Sequence, residues 1–217
     1  MNSVSVLYGA RIGNGNVIFP GAVISAVPQD LKFRGEDTTA EVGDNNKIRE
    51  NVTINRGTAA KGKTWVGSGN LLMESVHVAH DAFVGNDCII GNGTKLAGEI
   101  IIDDHAIISA NVLMHQFCRV GGYTMVGGGT RFSQDIPPYT ICAREPVAYC
   151  GLNLVGLRRR GFSNELIENI HNTYRIIYQG GVPLNEALQK VREEVPASPE
   201  INYIIEFIEN SKRGFVH

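Results

Sequence analysis

A large apolar residue recurs at every sixth position through the middle of this 217-residue chain. The twelve positions, without a miss, are Val66, Leu72, Val78, Val84, Ile90, Leu96, Ile102, Ile108, Met114, Val120, Val126 and Phe132. If about a third of residues are of this type, such a run has a chance probability on the order of 10⁻⁶. Helices repeat about every 3.6 residues and strands about every 2, so neither explains the period. A period of six indicates a solenoid, in which each hexad forms one short strand and one corner and points its apolar residue to the axis.

The repeat predicts an all-β solenoid, a parallel β-helix of hexapeptide repeats, that occupies residues 1–152. With three hexads in each coil, residues eighteen apart stack at a spacing of about 4.8 Å. The same phase already holds at Val6 but is lost in residues 26–40 and 57–64. Those two segments are predicted to be loops that leave the coil and return to it, where binding groups are commonly placed. Because Met1 enters the repeat with no visible cap, we expect the chain to be shortened at its N-terminus.

Residues 153–217 are predicted to form a small C-terminal α-helical domain. Ser163 is a suitable N-cap for a first amphipathic helix, and a second is expected from about Leu184 to Glu194. Ser198 followed by Pro199 is typical of the start of a third helix. We expect the three helices to cover the last coil and to block end-to-end growth of the sheets.

The composition excludes several function classes. A formal net charge of −2 and the lack of a long basic run give no footprint for nucleic acid or for a membrane surface. The four cysteines (Cys88, Cys118, Cys142 and Cys150) have no metal-ligand spacing, and Cys88 and Cys118 are interpreted as buried filler. No signal peptide or apolar run of membrane-spanning length is present. A cytoplasmic protein without an integral membrane segment is therefore expected.

His80 is the residue best placed for chemistry. It follows the inward Val78 by two positions, so it lies beyond a corner and faces outward, and Gly98 lies one coil above it. A bare glycine N–H beside an imidazole is the arrangement of a general base next to an oxyanion donor. Asp81 could hold one ring nitrogen so that the other accepts a proton. The spacing alone leaves open that His80 merely occupies a surface corner.

Two further polar groups are candidates for binding. His115 and Gln116 lie one column over and two coils up, which suits a substrate contact, or equally a surface polar pair. The run Arg158 to Arg160 is a cationic patch that could dock an acidic partner or phosphates, or could simply be a solvated entry to a helix. His77, three residues before His80, is expected at the rim of the site around His80. No third ligand accompanies His77 and His80, so no metal site is predicted.

Seven segments make the chain resemble the hexapeptide UDP-N-acetylglucosamine O-acyltransferases that begin lipid A synthesis, the lipid of lipopolysaccharide. They are PQDLKFRGE (28–36), IRENVTINRG (48–57), HVAHD (77–81), LAGE (96–99), MHQFC (114–118), QDIPPY (134–139) and GLRRRGF (156–162). The resemblance spans nearly the whole chain. It implies a left-handed β-helix, a homotrimer with sites between neighbouring prisms, and no metal or other cofactor.

The resemblance also implies roles for individual residues. A (R)-3-hydroxyacyl chain would pass from the phosphopantetheine of acyl carrier protein to the 3-hydroxyl of UDP-N-acetylglucosamine. His80 would be the general base, Asp81 its neighbour, and the Gly98 N–H the oxyanion donor. Substrate contacts would come from Gln29, Asp30, Lys32, His77, His115, Gln116, Asn153 and Arg160. Arg158 and Arg159 would dock the carrier protein, and Gly128 would lie near the end of an acyl pocket with room for a long chain.

Some positions depart from the commonest pattern of that family, and other functions stay open. Asn55, Glu99 and Pro146 stand where histidines are often found, and Val155 replaces an acidic contact. These changes affect fine contacts to the nucleotide. One alternative is the related N-acyltransferase, although the chain has no separate uridine-binding domain. Another is a non-catalytic trimeric scaffold that binds carrier protein, and a third is a zinc enzyme.

Overall fold

The structure, a computed structural model, describes residues 3–217 of the chain. In chain order its strands are β1 (Ser5–Val6), β2 (Ala10–Ile12), β3 (Val17–Ile18), β4 (Val23–Ala26), β5 (Thr39–Val42), β6 (Lys47–Ile48), β7 (Thr53–Asn55), β8 (Lys63–Val66), β9 (Leu71–Leu72), β10 (His77–Val78), β11 (Phe83–Val84), β12 (Ile89–Ile90), β13 (Lys95–Leu96), β14 (Ile101–Ile102), β15 (Ile107–Ile108), β16 (Leu113–Met114), β17 (Arg119–Val120), β18 (Met125–Val126), β19 (Arg131–Phe132), β20 (Thr140–Ala143) and β21 (Ala148–Leu152). The helices are α1 (Leu154–Arg159), α2 (Asn164–Gln179), α3 (Leu184–Glu194) and α4 (Pro199–Glu209).

The strands form the three walls of a left-handed parallel β-helix. Sheet A has the order β1-β4-β7-β10-β13-β16-β19, sheet B the order β17-β14-β11-β8-β5-β2, and sheet C the order β21-β20-β18-β15-β12-β9-β6-β3. His77 pairs with Lys95, and Lys95 with Leu113, so residues eighteen apart stack vertically. The predicted fold class is confirmed.

The hexad residues form the core of the prism. Ten of the twelve apolar residues from Val66 to Phe132 are fully buried, and Met114 and Phe132 are each 5% exposed. Successive coils approach so closely after the inward residue that a β-carbon on Gly91 would lie 2.5 Å from the Ala110 nitrogen. A side chain at such a position would push the coils apart.

Each corner turns through a residue in the left-handed backbone region. The fourth residue of the hexad has this conformation at all three corners, for example Asp81 (φ 60°), Asp87 (φ 53°) and Asn111 (φ 56°). Asn and Asp tolerate such a backbone better than most residues. We name the corners by the sheets that they join. Corner A/B contains His80 and Gly98, corner B/C follows sheet B, and corner C/A contains Gly128.

Two loops interrupt the coil near the predicted places, but both are shorter than expected. The first covers residues 27–38, because β4 and β5 pair with their neighbours through Ala26 and Thr39. The second covers residues 56–62, because Lys63 already belongs to β8. Backbone pairing therefore continues beyond the point where the side-chain rhythm fails.

The C-terminal residues build a second apolar core. Its members come mainly from α2, α3 and α4, with Tyr139 and Leu152 from the end of the coil. Ser163 caps α2 and Ser198 caps α4, and α3 spans Leu184–Glu194, so the three predicted helices are confirmed. The longest, α2, has 16 residues, and within residues 3–217 no helix is long and apolar enough to cross a membrane.

Two features at this end were not predicted. Strands β20 and β21 pair antiparallel, and the six-residue helix α1 follows them. The end of the prism is closed in part by Val216, which is 1% exposed, belongs to the core of the β-helix and donates its N–H to Asp135. Val216 lies beyond the predicted boundary but joins the first core, and a domain boundary at residue 152 stays a prediction.

Candidate active site

His80 and Gly98 are in contact at corner A/B. A β-carbon added to Gly98 would lie 2.6 Å from both Cε1 and Nε2 of His80. The imidazole therefore fills the space that any other residue at position 98 would need. The His80 side chain is 12% exposed, so the ring is packed on one side and open to the surface on the other.

Asp81 orients the His80 ring. Nδ1 of His80 lies 2.8 Å from Oδ2 of Asp81, whose side chain is fully buried. An ionised carboxylate can only accept, so this contact places the proton on Nδ1 and leaves the Nε2 lone pair free. Such an imidazole is set up to take a proton from a ligand at Nε2.

The amide of Gly98 is available to a ligand. Its N–H has no hydrogen-bond acceptor within residues 3–217. Three equivalent amides at corner B/C are occupied, because Ser68 N–H donates to Asn86, Asn86 N–H to Asp104, and Gly122 N–H to the Tyr203 hydroxyl. The Asp104 N–H, between the last two, has no acceptor within residues 3–217. An unused donor beside a free imidazole nitrogen can bind an oxygen that becomes negative during a reaction.

A cleft of about 270 Å³ opens beside His80. Its walls are formed by Gln29, Asn55, His77, Ala79, His80, Lys95, Leu96, Ala97, Gly98, Leu113 and Met114. Nδ1 of His77 lies 2.6 Å from the Thr53 hydroxyl. Burial lowers the pKa of His77, and the nearby Lys95 and His80 add to the effect. His77 is therefore held neutral over more of the pH range than a free histidine.

Asn55 lies in the wall of this cleft. Its Nδ2 donates to the Val27 carbonyl at 2.6 Å, while its buried Oδ1 has no partner within residues 3–217. Two carbonyl oxygens cannot face each other at that distance, so the orientation of the amide is fixed by chemistry. Asn55 thus joins the first loop to the site and keeps one acceptor unused.

The first loop places its predicted residues on both sides of corner A/B. Gln29 lines the His80 cleft, whereas Asp30 and Lys32 line a neighbouring hollow of about 390 Å³ that also includes Gln116. Gln116 lies one coil above Gly98, with Nε2 3.3 Å from the position of a β-carbon there. The structure therefore brings these four residues around the same corner.

Three predicted residues lie away from the cleft. His115 lines a third hollow together with Pro146. Gly128 is exposed at corner C/A, across sheet A from His80 and next to β19. Asn153 is 5% exposed and caps α1, with Oδ1 accepting the Gly156 N–H and Nδ2 donating to Tyr123. Both polar atoms of Asn153 are thus used inside the chain.

The arginine run lies on and after α1. Arg158 and Arg159 are exposed in the last turn of that helix. Arg160 follows, with its guanidinium 5.8 Å from the centre of the Tyr123 ring. These side chains do not line the His80 cleft, so they form a separate cationic surface.

Sequence analysis missed two contributors to the site. Lys95 lines the cleft, and its outward position on sheet A follows from the hexad phase. Thr58 holds Asp81 through two hydrogen bonds, but its loop lies outside the repeat, so no sequence signal located it. Within residues 3–217 no group of three or more His, Cys, Asp or Glu side chains is arranged to hold a metal ion.

Comparison with known proteins is consistent with this geometry. Residues 135–216 match the family model for UDP-N-acetylglucosamine O-acyltransferase, domain 2. The structure is similar to the UDP-N-acetylglucosamine acyltransferase of Bacteroides fragilis, with 72% identity and a TM-score of 0.98 over 100% of this chain and 85% of that one. The enzyme of Francisella novicida is 32% identical, with a TM-score of 0.91 over 100% of this chain and 91% of that one. The Arabidopsis enzyme is 30% identical, with a TM-score of 0.92 over 99% and 86% of the two chains. This chain belongs to the family of UDP-N-acetylglucosamine O-acyltransferases.

Proposed function

We propose that this enzyme transfers a (R)-3-hydroxyacyl chain from acyl carrier protein to the 3-hydroxyl of UDP-N-acetylglucosamine, the first acylation in lipid A synthesis. The observation that carries the proposal is the contact between the His80 imidazole and Gly98, whose N–H is unused. The family provides the acyltransferase activity and the nucleotide sugar. The roles of individual residues are inferred from geometry.

The reaction is a direct attack without an acyl-enzyme. Nε2 of His80 takes the proton from the sugar 3-hydroxyl as its oxygen forms a bond to the thioester carbon. The carbonyl oxygen becomes negative and accepts a hydrogen bond from the Gly98 N–H. When the carbon–sulfur bond breaks, the proton on His80 passes to the departing phosphopantetheine thiolate. A positioned base contributes roughly 10²–10⁴-fold to such a reaction.

The apolar wall of the cleft suits the acyl chain. Leu96, Leu113 and Met114 line one side of it, next to the ring of His80. Gly128 lies at the far edge of sheet A, beside a strand three rungs above that of His77, which is about 14 Å along the axis at the usual strand spacing. We propose that the chain runs toward this glycine, which sets its length.

A trimer explains why several candidate residues lie outside the cleft. Arg160 and His115 are on other surfaces of the same chain, so they could meet the ligand of a neighbouring copy. We propose a homotrimer with sites between the prisms, and docking of acidic carrier protein by Arg158 and Arg159. The protein is expected to act in the cytoplasm, with no metal or other cofactor.

Acyl transfer measured by mass spectrometry tests this function. The assay offers UDP-N-acetylglucosamine or, in a separate reaction, the acylated free-amine sugar, with carrier proteins that bear hydroxyacyl chains of graded length. His80→Ala is expected to lower turnover by roughly 10²–10⁴-fold because the base is lost. The control is His171→Ala, which removes an exposed histidine of α2. Full activity in His80→Ala would remove the mechanism, and acylation only of a free-amine sugar would point to N-acyl transfer.

A further inference from the structure

The loop of residues 56–62 lies outside the hexad repeat, yet it contacts Asp81, the residue that orients His80. Thr58 lies in this loop and is 6% exposed. Gly57 closes the loop so tightly that a β-carbon there would overlap the backbone nitrogen of Lys63. The Gly62 N–H donates to the Thr58 carbonyl at 2.7 Å. These contacts hold Thr58 in one place.

Thr58 contacts both oxygens of the Asp81 carboxylate. Its backbone N–H donates to Oδ1 at 2.9 Å, and its hydroxyl lies 2.6 Å from Oδ2. The Ala60 N–H donates to that same hydroxyl oxygen at 3.2 Å. Because this bond occupies a lone pair of the hydroxyl oxygen and a carboxylate can only accept, the hydroxyl proton points to Asp81.

A second threonine fixes the backbone of Asp81. Asp81 has a φ of 60°, and its N–H donates to the Thr64 hydroxyl at 2.8 Å. Thr58 thus holds the carboxylate of Asp81, and Thr64 holds its backbone. Within residues 3–217, the one other hydrogen bond of the carboxylate joins Oδ2 to Nδ1 of His80, at 2.8 Å.

We propose that Thr58 is a positioning residue for catalysis, which acts through Asp81 to set the orientation and tautomer of His80. The inference rests on the proposed function, since it needs His80 to be the base. Loss of the Thr58 hydroxyl frees Oδ2 to rotate and weakens the Nδ1 contact. The Nε2 lone pair then points at the sugar hydroxyl in a smaller fraction of molecules. Binding of the nucleotide sugar does not depend on that lone pair.

A double-mutant cycle tests the proposal. Thr58→Val keeps the size of the side chain and removes the hydroxyl. It is expected to lower kcat roughly tenfold to a hundredfold, as loss of an orienting partner does at metal sites, with KM for UDP-N-acetylglucosamine within about twofold. Thr58→Ser should retain nearly all of the activity. In an Asp81→Asn background, Thr58→Val should change kcat by less than about twofold, because the group through which it acts is gone.

Thr124→Val is the matched control for a buried threonine. Thr124 is fully buried, and its hydroxyl donates to the Pro137 carbonyl at 2.7 Å, away from the cleft. The control is expected to change thermal stability without changing kcat. The proposal is overturned if Thr58→Val and Asp81→Asn lower kcat independently, or if Thr58→Ser loses as much as Thr58→Val. His80→Ala is measured in parallel, since full activity there rejects the proposed function and not the Thr58 contact alone.

Discussion

Corners B/C and A/B turn the backbone in the same way, but their side chains have different roles. At B/C, short polar side chains satisfy the amides of neighbouring coils, from Ser68 to Asn86 to Asp104. At A/B, the matching positions are His80 and Gly98, and the Gly98 N–H has no acceptor within residues 3–217. At the first corner, side chains of the corner itself accept from the Ser68 and Asn86 amides. The second keeps a donor and a base unsatisfied, which is what a catalytic site needs.

The inner side of corner B/C is closed as well. Asn46 and Asn70 are buried, and the backbone N–H of Asn70 donates to Oδ1 of Asn46. Nδ2 of Asn70 donates to the Gly85 carbonyl, and its Oδ1 accepts the Cys88 N–H. The buried Asn46 and Asn70 side chains thus have partners, as buried polar groups generally do. The comparison teaches that stability and function are assigned to different corners of the same coil.

Among the changes that test this comparison, Gly98→Ala gives the largest expected effect. The added methyl group would lie 2.6 Å from two atoms of the His80 ring, so the ring must move. A displacement of about 1 Å can cost on the order of 10²-fold in rate, and the amide is disturbed at the same time. We expect kcat to fall by roughly 10²–10³-fold while the melting temperature changes little. Near-normal activity in this variant would show that the open corner is not the catalytic one.

Asn70→Ala should affect stability and spare catalysis. The substitution leaves the Gly85 carbonyl and the Cys88 N–H without partners in a buried place. We expect the free energy of unfolding to fall by about 2–4 kcal/mol, measured by denaturant titration. The kcat of the folded enzyme should equal that of the parent, and a loss of kcat without a loss of stability would contradict the division between corners.

Cysteine alkylation also compares the two corners, and it is expected to show the smallest difference between them. Cys88 lies inside corner B/C and Cys118 inside corner A/B, and burial raises their pKa values to about 12 and about 11. Both thiols are protonated at pH 8 and so are poor nucleophiles. We expect native labelling to reach the exposed Cys150 and to spare both. Rapid labelling of Cys118 alone would mean that corner A/B is open on its inner side too.

Most of the β-helix can be predicted from the sequence because its inward residues recur at a fixed period. One inward residue every six fixes which side chains are buried, and the stacking of residues eighteen apart is enough to place Gly98 over His80. The predicted limits of the first loop are wrong at Ala26 and Thr39, which belong to strands, because backbone pairing does not require an apolar residue at every sixth position. Helix α1 was missed because six residues give no clear periodic face.

The parts of the site that were not predicted lie outside the repeat. Thr58 meets Asp81 across 23 positions of sequence, through a loop whose path no spacing rule fixes. The closure of the prism by Val216 depends on the whole helical segment that carries it back to the coil. Asn153 was expected to contact the nucleotide, but its role as the cap of α1 depends on a helix too short to leave a periodic signal.

A crystal structure of the enzyme with UDP-N-acetylglucosamine tests the central claim most directly, through the distance from the sugar 3-hydroxyl oxygen to Nε2 of His80. The account predicts a hydrogen bond of about 2.6–3.2 Å, with the Gly98 N–H directed into the same cleft. A sugar bound at corner B/C or C/A, or a 3-hydroxyl turned away from His80, would contradict it.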